Sequence, residues 1–289
     1  MADQAENLRN LMGSKRKISP ATRKNTRIIA ISSGKGGAGK TSLVVNLAIA
    51  LSQKGKKVMI MDADLGMANV DIMLGLVPRY TLYDVLEGKK SLGEVIITGY
   101  DGINVIPGCS GIFEMENVPL LQKQSLVKEL ESCAREMDFI LIDTGAGISN
   151  IVLGFIAAAD DVLIVITPEP TSITDGYAII KILSKFKLSR KVYLVINMAT
   201  SMQEALDSAH KIETVAGRYL DIEIIRLGVI NFDNTVKKAI KEMTPFIFKY
   251  PRSQVSRDII QIADNIAENK FGFSENHSNF ARKLINLLR

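Results

Sequence analysis

The chain has 289 residues, 47% of them apolar and 23% charged, enough for one large α/β domain or two small ones around a well-filled core. It has no tryptophan, so that core must be mostly aliphatic, and its two cysteines, Cys109 and Cys133, show no metal or redox spacing and read as free thiols. The net charge of +5 does not by itself point to nucleic acid. No secretion-signal pattern and no apolar run of about eighteen residues occurs, so the chain is expected neither to be exported by that route nor to span a membrane.

In chain order, residues 1–12 have helical spacing, with Ala5, Leu8 and Leu11 or Met12 along one side. Residues 13–26 read as a linker, and Lys15, Arg16, Lys17, Arg23, Lys24 and Arg27 gather there ahead of the first strand. Apolar strand candidates then follow at 27–32, 57–62, 103–107, 138–143, 162–167, 192–197 and 223–229. Helical periodicity fills 41–54, 118–135, 171–186 and 203–219. Strands apolar on both faces and separated by helices predict a doubly wound, mostly parallel α/β sheet with helices on both sides. Ligands then gather at the carboxyl ends of the strands. With no internal repeat, the economical division is one domain over 27–273, flanked by 1–26 and by a short helix over 274–289.

Gly34-Lys35-Gly36-Gly37-Ala38-Gly39-Lys40-Thr41 fits G-x-x-x-x-G-K-[ST] between a predicted strand and a predicted helix. The glycines let consecutive backbone N–H groups curl around phosphate oxygens, and the helix beginning near Lys40 adds its positive end. The nucleotide contacts are thus expected from Gly34, Gly36, Gly37, Ala38, Gly39, Lys40, Thr41 and Ser42. Lys40 supplies a point charge for the β and γ phosphates, and the Thr41 hydroxyl a hard oxygen for Mg²⁺. Acids are expected at neighbouring strand ends. "VMIMDADLGMANVD" offers Asp62 and Asp64, with Asp71 further on; "FILIDTGAG" offers Asp143, followed by Gly145 and Gly147.

Only one lysine is needed to hold phosphate, and the second, Lys35, is informative. The arrangement K-G-G-x-G-K-T resembles the deviant phosphate loop of the MinD/ParA family of ATPases, P-loop NTPases that bind ATP and Mg²⁺. The resemblance implies that Lys35 reaches the nucleotide of a second subunit, making hydrolysis of ATP to ADP and phosphate depend on homodimerisation. It further implies that Asp64 orients the attacking water, and that Asp62 and Asp143, with Thr41, support the metal. Asn197, closing "VYLVIN", resembles the family's adenine-binding asparagine. "LGVINFDNTVKKA" resembles its second base-side loop, with Asn231 where relatives usually have proline. "TPEP", with Glu169, resembles a loop that touches nucleotide across the dimer, although an ordinary surface turn reads nearly as well. The second switch reads D-T-G-A-G where many relatives have D-x-P-A-G, so Gly145 should loosen it. The N-K-x-D guanine signature is not seen.

The two ends refine the resemblance. "DQAENLR" resembles the D-Q-A-x-x-L-R motif of the FlhG family, MinD-like ATPases that control flagellar number and placement. On that likeness Asp3, Gln4, Ala5, Leu8 and Arg9 engage an FlhF-like GTPase, and flagellar switch (C-ring) proteins are further partners. "FARKLINLLR" sets Phe280, Leu284, Leu287 and Leu288 on one stripe, with Arg282, Lys283 and Arg289 off its centre. That pattern suits an in-plane helix on an anionic membrane and equally a last helix packed on the domain. The resemblance implies a cytoplasmic protein, reversibly at the inner face of the cell membrane. A ParA-like DNA-segregation ATPase, using the cations of 15–27 on nonspecific duplex, stays as the alternative. A nitrogenase-reductase relative is disfavoured, because no suitably spaced cysteine pair exists.

Overall fold

Eight β-strands hydrogen-bond into a single sheet in the computed structural model, which describes residues 26–64, 69–108 and 120–272. The strands are β1 (Arg27–Ser32), β2 (Val58–Ala63), β3 (Ile97–Thr98), β4 (Asn104–Ile106), β5 (Phe139–Thr144), β6 (Asp161–Ile166), β7 (Lys191–Ala199) and β8 (Glu223–Asn231). The long helices are α1 (Lys40–Gln53), α5 (Leu120–Arg135), α6 (Asn150–Ala158), α7 (Pro170–Lys185), α8 (Met202–Tyr219), α9 (Asn234–Lys241) and α11 (Gln254–Ala267). Single turns make α2 (Val70–Met73), α3 (Leu82–Leu86), α4 (Leu92–Val95) and α10 (Phe246–Lys249).

The sheet order is β3-β4-β2-β5-β1-β6-β7-β8, parallel at every pairing except β3–β4. Order reverses around β1, so the loop after β1 opens at a switch point between β5 and β6, where a doubly wound sheet leaves a crevice. The predicted strands fall within two residues of the observed ones. The exception is β3, a two-residue antiparallel addition too short to show any period.

Alternation along the strands sorts the core onto two faces. Ile29, Ile31, Ile60, Leu141, Val165 and Val195 pack toward α1 and α11. Ile28, Met59, Met61, Ile140 and Ile142 face the side of α5 and α6, while Ala30, Ile164, Ile166 and Leu194 face α6, α7 and α8. Helix α1 lies between the sheet and α11 and is buried continuously from Leu43 to Leu51, which explains its nearly uniform apolarity. Its one buried amide, Asn46, accepts from Ile247 N at 2.9 Å and donates to Ser42 O at 2.8 Å, tying α10 to the helix that follows the phosphate loop. Among the described residues, no helix is long and apolar enough to cross a membrane. Cys133 is a half-buried free thiol on α5; Cys109 and the expected appendages 1–25 and 274–289 lie outside the described residues.

Helix α7 crosses β6 at Gly176, where a Cβ would lie 2.6 Å from Ile166 Cγ2. Gly176→Ala should therefore overpack this crossing and lower the unfolding free energy by about 1–3 kcal/mol, read as a lower urea midpoint with unchanged m-value. An unshifted midpoint would contradict the packing described.

Candidate nucleotide site

The loop between β1 and α1 is built on backbone freedom at two positions. Gly37 and Gly39 have φ of 82° and 83°, in the left-handed region that favours glycine, and Gly39 is the N-cap of α1. At Gly34 the constraint is space, since a Cβ would fall 2.4 Å from the backbone of Asp175 on α7. Three hydrogen bonds hold the loop, one within it and two from other segments. Gly147 N donates to Ser33 O at 2.9 Å, Ser33 Oγ to Lys35 O at 3.0 Å, and Asn197 Nδ2 to Ala38 O at 2.8 Å.

The two lysines of this loop go to different places. Lys40 is 7% exposed and its Nζ lies 3.0 Å from Asp143 Oδ1. Lys35 is exposed and its Nζ lies 3.0 Å from Glu169 Oε2 and 3.4 Å from Thr171 Oγ1, at the start of α7.

The carboxylates converge as strand register dictates. Asp62 on β2 is the direct partner of Asp143 on β5, which in turn pairs with Ile31 of β1. Asp62 accepts backbone N–H bonds from Asp64, Asn69 and Val70 at 3.0–3.2 Å, so it shapes the start of the segment that follows β2. Burial pushes its carboxyl up to about 7, the charge of Asp143 adds to that, and the three N–H donors oppose it. Burial raises Asp143 as well, against the pull of Lys40 and the Thr41 hydroxyl. Asp143 Oδ2 is buried without a hydrogen-bond partner.

This donor set fits a divalent cation. A partnerless carboxylate oxygen on β5, a neighbouring carboxyl on β2 destabilised as an anion, and a threonine hydroxyl at the start of α1 are hard oxygen ligands gathered in one place. Among the described residues no group of three or more His, Cys, Asp or Glu side chains could hold a metal by itself. The remaining ligands would be phosphate oxygens and water, as is usual for Mg²⁺.

Asp64 is half-buried at the end of β2, and a Cβ at Gly145 would stand 3.7 Å from Asp64 Oδ1. The two acidic segments therefore meet at Gly145. Its contacts are ordinary and its φ is not positive, so this glycine leaves room and is not demanded by the backbone. Asp71 lies in α2 and accepts from Ile72 N.

A pocket beside the loop is lined by Leu43, Ile230, Phe232, Val236, Ile240 and Phe246, together with Asn197 and Gly39. Its surface is mainly apolar. Asn197 is buried, donating to Ala38 O and accepting from Met198 N, which leaves one further donor and one further acceptor site on its amide. Met198 is held at φ 60°, a non-glycine residue in the left-handed region beside the pocket. Asn231 is braced by Asp258 of α11, which accepts from both its backbone and side-chain nitrogens at 2.8 Å. Sequence reading gave the polar marker Asn197 and, by resemblance, the segment 227–239 that holds Ile230, Phe232 and Val236, but not Leu43, Ile240 or Phe246. The residues expected to meet partners (Asp3, Gln4, Leu8, Arg9) and membrane (Phe280, Leu284, Leu287, Leu288) lie outside the described residues.

An AAA-domain family model matches residues 26–196. The chain is 40% identical to the antiactivator FleN of Pseudomonas aeruginosa over 83% of its own length and 86% of FleN. It is 36% identical to the flagellum site-determining protein YlxH of Helicobacter pylori, over 91% of this chain and 90% of that one. Its fold matches the septum site-determining protein MinD of Pyrococcus horikoshii, solved with Mg-ADP, with a TM-score of 0.67 and 26% identity over 87% of this chain and all of that one. The chain belongs to the MinD/ParA family of ATPases. Within that family its likeness is to the FlhG type. The loop, the paired strand-end acids and the apolar pocket are thus parts of a MinD/ParA-type P-loop fold.

Asp62 gives this ATPase a pH signature. Its folded-state pKa is raised above the ordinary carboxylate value, so its contribution to stability is fully present near pH 4 and is lost as pH rises through about 7. In the absence of nucleotide and metal, a carboxyl-¹³C titration should show Asp62 with a midpoint near 7, and the denaturation midpoint should fall over the same window. Saturating Mg²⁺ with ADP should drive that midpoint down, because a nearby cation favours the ionised form. An Asp62 midpoint near 4 in the free protein would contradict the burial described.

Proposed function

We propose that this protein is a Mg-ATP-dependent ATPase that dimerises face to face across bound nucleotide and acts as a spatial and numerical regulator of flagellar assembly. The observation that carries the reading is the divergence of the two loop lysines, Lys40 inward on Asp143 and Lys35 outward at the lip of the site. One cation serves the chain's own nucleotide, and the other serves a second copy's. Lys35 is held at the lip by solvent-exposed contacts with Glu169 and Thr171, and an exposed ion pair of this kind contributes about 0–1 kcal/mol. Exchanging that partner for a triphosphate therefore costs little.

In the proposed cycle the loop N–H groups and Lys40 hold the phosphates, and Asn197 holds adenine in the apolar pocket. Thr41, Asp143 and Asp62 would hold Mg²⁺, which neutralises charge on the phosphate oxygens when bound. Asp64 orients water for attack, and Lys35 of the second copy stabilises charge on the transferring phosphoryl group, as an arginine finger does elsewhere. Loss of the γ-phosphate then loosens the segments after Asp64 and Asp143 and frees the subunits. The names of the relatives, an antiactivator and a flagellum site-determining protein, support the flagellar role. Residues 3–9 would engage an FlhF-like GTPase, with flagellar switch proteins as further partners. The stripe Phe280, Leu284, Leu287 and Leu288 would seat the ATP-bound dimer on anionic membrane from the cytoplasmic side. Two weak helices then act together and multiply avidity by roughly a hundredfold or more.

Asp64→Ala with Mg-ATP should accumulate as a dimer on anionic vesicles, by light scattering and cosedimentation. Lys35→Ala should still bind ATP while hydrolysis falls at least ~100-fold and no dimer forms. A Lys35→Ala protein that hydrolyses ATP at the parental rate would overturn the trans role.

A further inference from the structure

Between Asp175 and Glu204 the chain carries no acid, and Lys181, Lys185, Lys187, Arg190 and Lys191 fall within that stretch. All five are exposed. They sit where α7 reaches the end of the sheet opposite the phosphate loop and turns into β7. Lys191 pairs with Glu223 at 3.7 Å, whereas Lys181, Lys185, Lys187 and Arg190 have no carboxylate partner among the described residues. Favourable interaction with the helix C-terminus accounts for Lys185 but not for Lys187 or Arg190, which lie beyond the last turn.

The turn is also fixed. Lys187 N donates to Ser184 O and Leu188 N to Leu183 O, a C-terminal motif whose left-handed position normally takes glycine. Here that position holds Lys187, at φ 53°. A cation thus stands at an exposed point of a hydrogen-bonded turn where glycine would cost the backbone less.

Geometry also links this cluster to the tail. Lys191 Nζ lies 3.4 Å from Gly272 O, at the point where residues 273–289 leave the described fold. The same end receives the chain from the basic segment 15–27, for Arg27 donates to Ile266 O at 3.1 Å and to Asn269 Oδ1 at 2.8 Å at the end of α11. Lys191 and Arg27, each held by a partner, thus stand at the end of the fold where residue 272 lies, ahead of a segment whose sequence pairs an apolar stripe with Arg282, Lys283 and Arg289.

We propose that Lys181, Lys185, Lys187 and Arg190 form a second membrane contact, binding the anionic headgroups of the bilayer that the tail enters. The proposal rests on the membrane reading above and adds a folded, electrostatic surface to it. Nucleic acid would match the cations alone; a lipid surface matches both the cations and the apolar stripe in the sequence that follows Gly272. Each cation brought to an anionic bilayer contributes about fivefold in partitioning at low salt.

The test is flotation of the full chain with Mg-ATP on vesicles of phosphatidylcholine with and without phosphatidylglycerol. The comparison set is the triple variant Lys181→Glu, Lys185→Glu, Arg190→Glu, and a chain ending at residue 272. Lys187 is left in place because of its backbone. The triple variant should bind phosphatidylglycerol vesicles roughly tenfold or more weakly, with a shallower salt dependence, while its vesicle-free ATPase rate and thermal midpoint stay parental. Parental binding by the triple variant, together with loss in the shortened chain, would overturn the patch and leave the tail reading intact. A parental chain that binds no vesicle overturns both. Loss of affinity for nonspecific duplex, with vesicle affinity unchanged, would reassign the patch to nucleic acid.

Discussion

One buried ammonium stands against two buried carboxyl groups at the ends of β2 and β5, and the rest of the site is arranged around that imbalance. Lys40 satisfies one oxygen of Asp143 and leaves the other without a partner. Asp62, next to it in register, responds by holding its proton to about pH 7. Such a cluster is poised for added positive charge, because each carboxyl released as an anion can repay its burial only by finding a cation. Parallel pairing of β1, β5 and β2 makes this geometry unavoidable, since it fixes Asp62, Asp143 and Ile31 side by side.

Much of this was legible in the sequence. The strand runs of β1, β2, β5 and β6 are apolar at every position or nearly so, which marks them as central strands covered on both faces. The loop from Gly34 to Thr41 combines glycine positions with a following helix, and both requirements recur in the coordinates as positive φ or close approach. Asp62 and Asp143 were visible as the first acids after such runs. Less legible was the apolar pocket beside the loop. Phe232 follows β8, Val236 and Ile240 lie on the eight-residue α9 and Phe246 on the single turn α10, segments too brief to show a period, and α10 is tied back to α1 through Asn46. A short antiparallel strand such as β3 has the same difficulty.

Glu169 illustrates a role that depends on what surrounds it. Its sequence context suggested a contact across a dimer or a plain surface turn. In the single chain it is the partner of Lys35, the outward-turned lysine of the loop. Both side chains are largely exposed, so their pairing is easily exchanged and does not fix either one. Lys40, on the same loop and only five residues away, has the opposite character because it is enclosed.

Asn197 carries a further consequence. Its amide hydrogen-bonds Ala38 O and its side chain lines the apolar cavity, so the cavity wall and the curl of the loop share one strut. Any group that fills the cavity bears on that strut and, through it, on the backbone of the loop. Occupancy of the one and curvature of the other are thereby coupled through a single side chain.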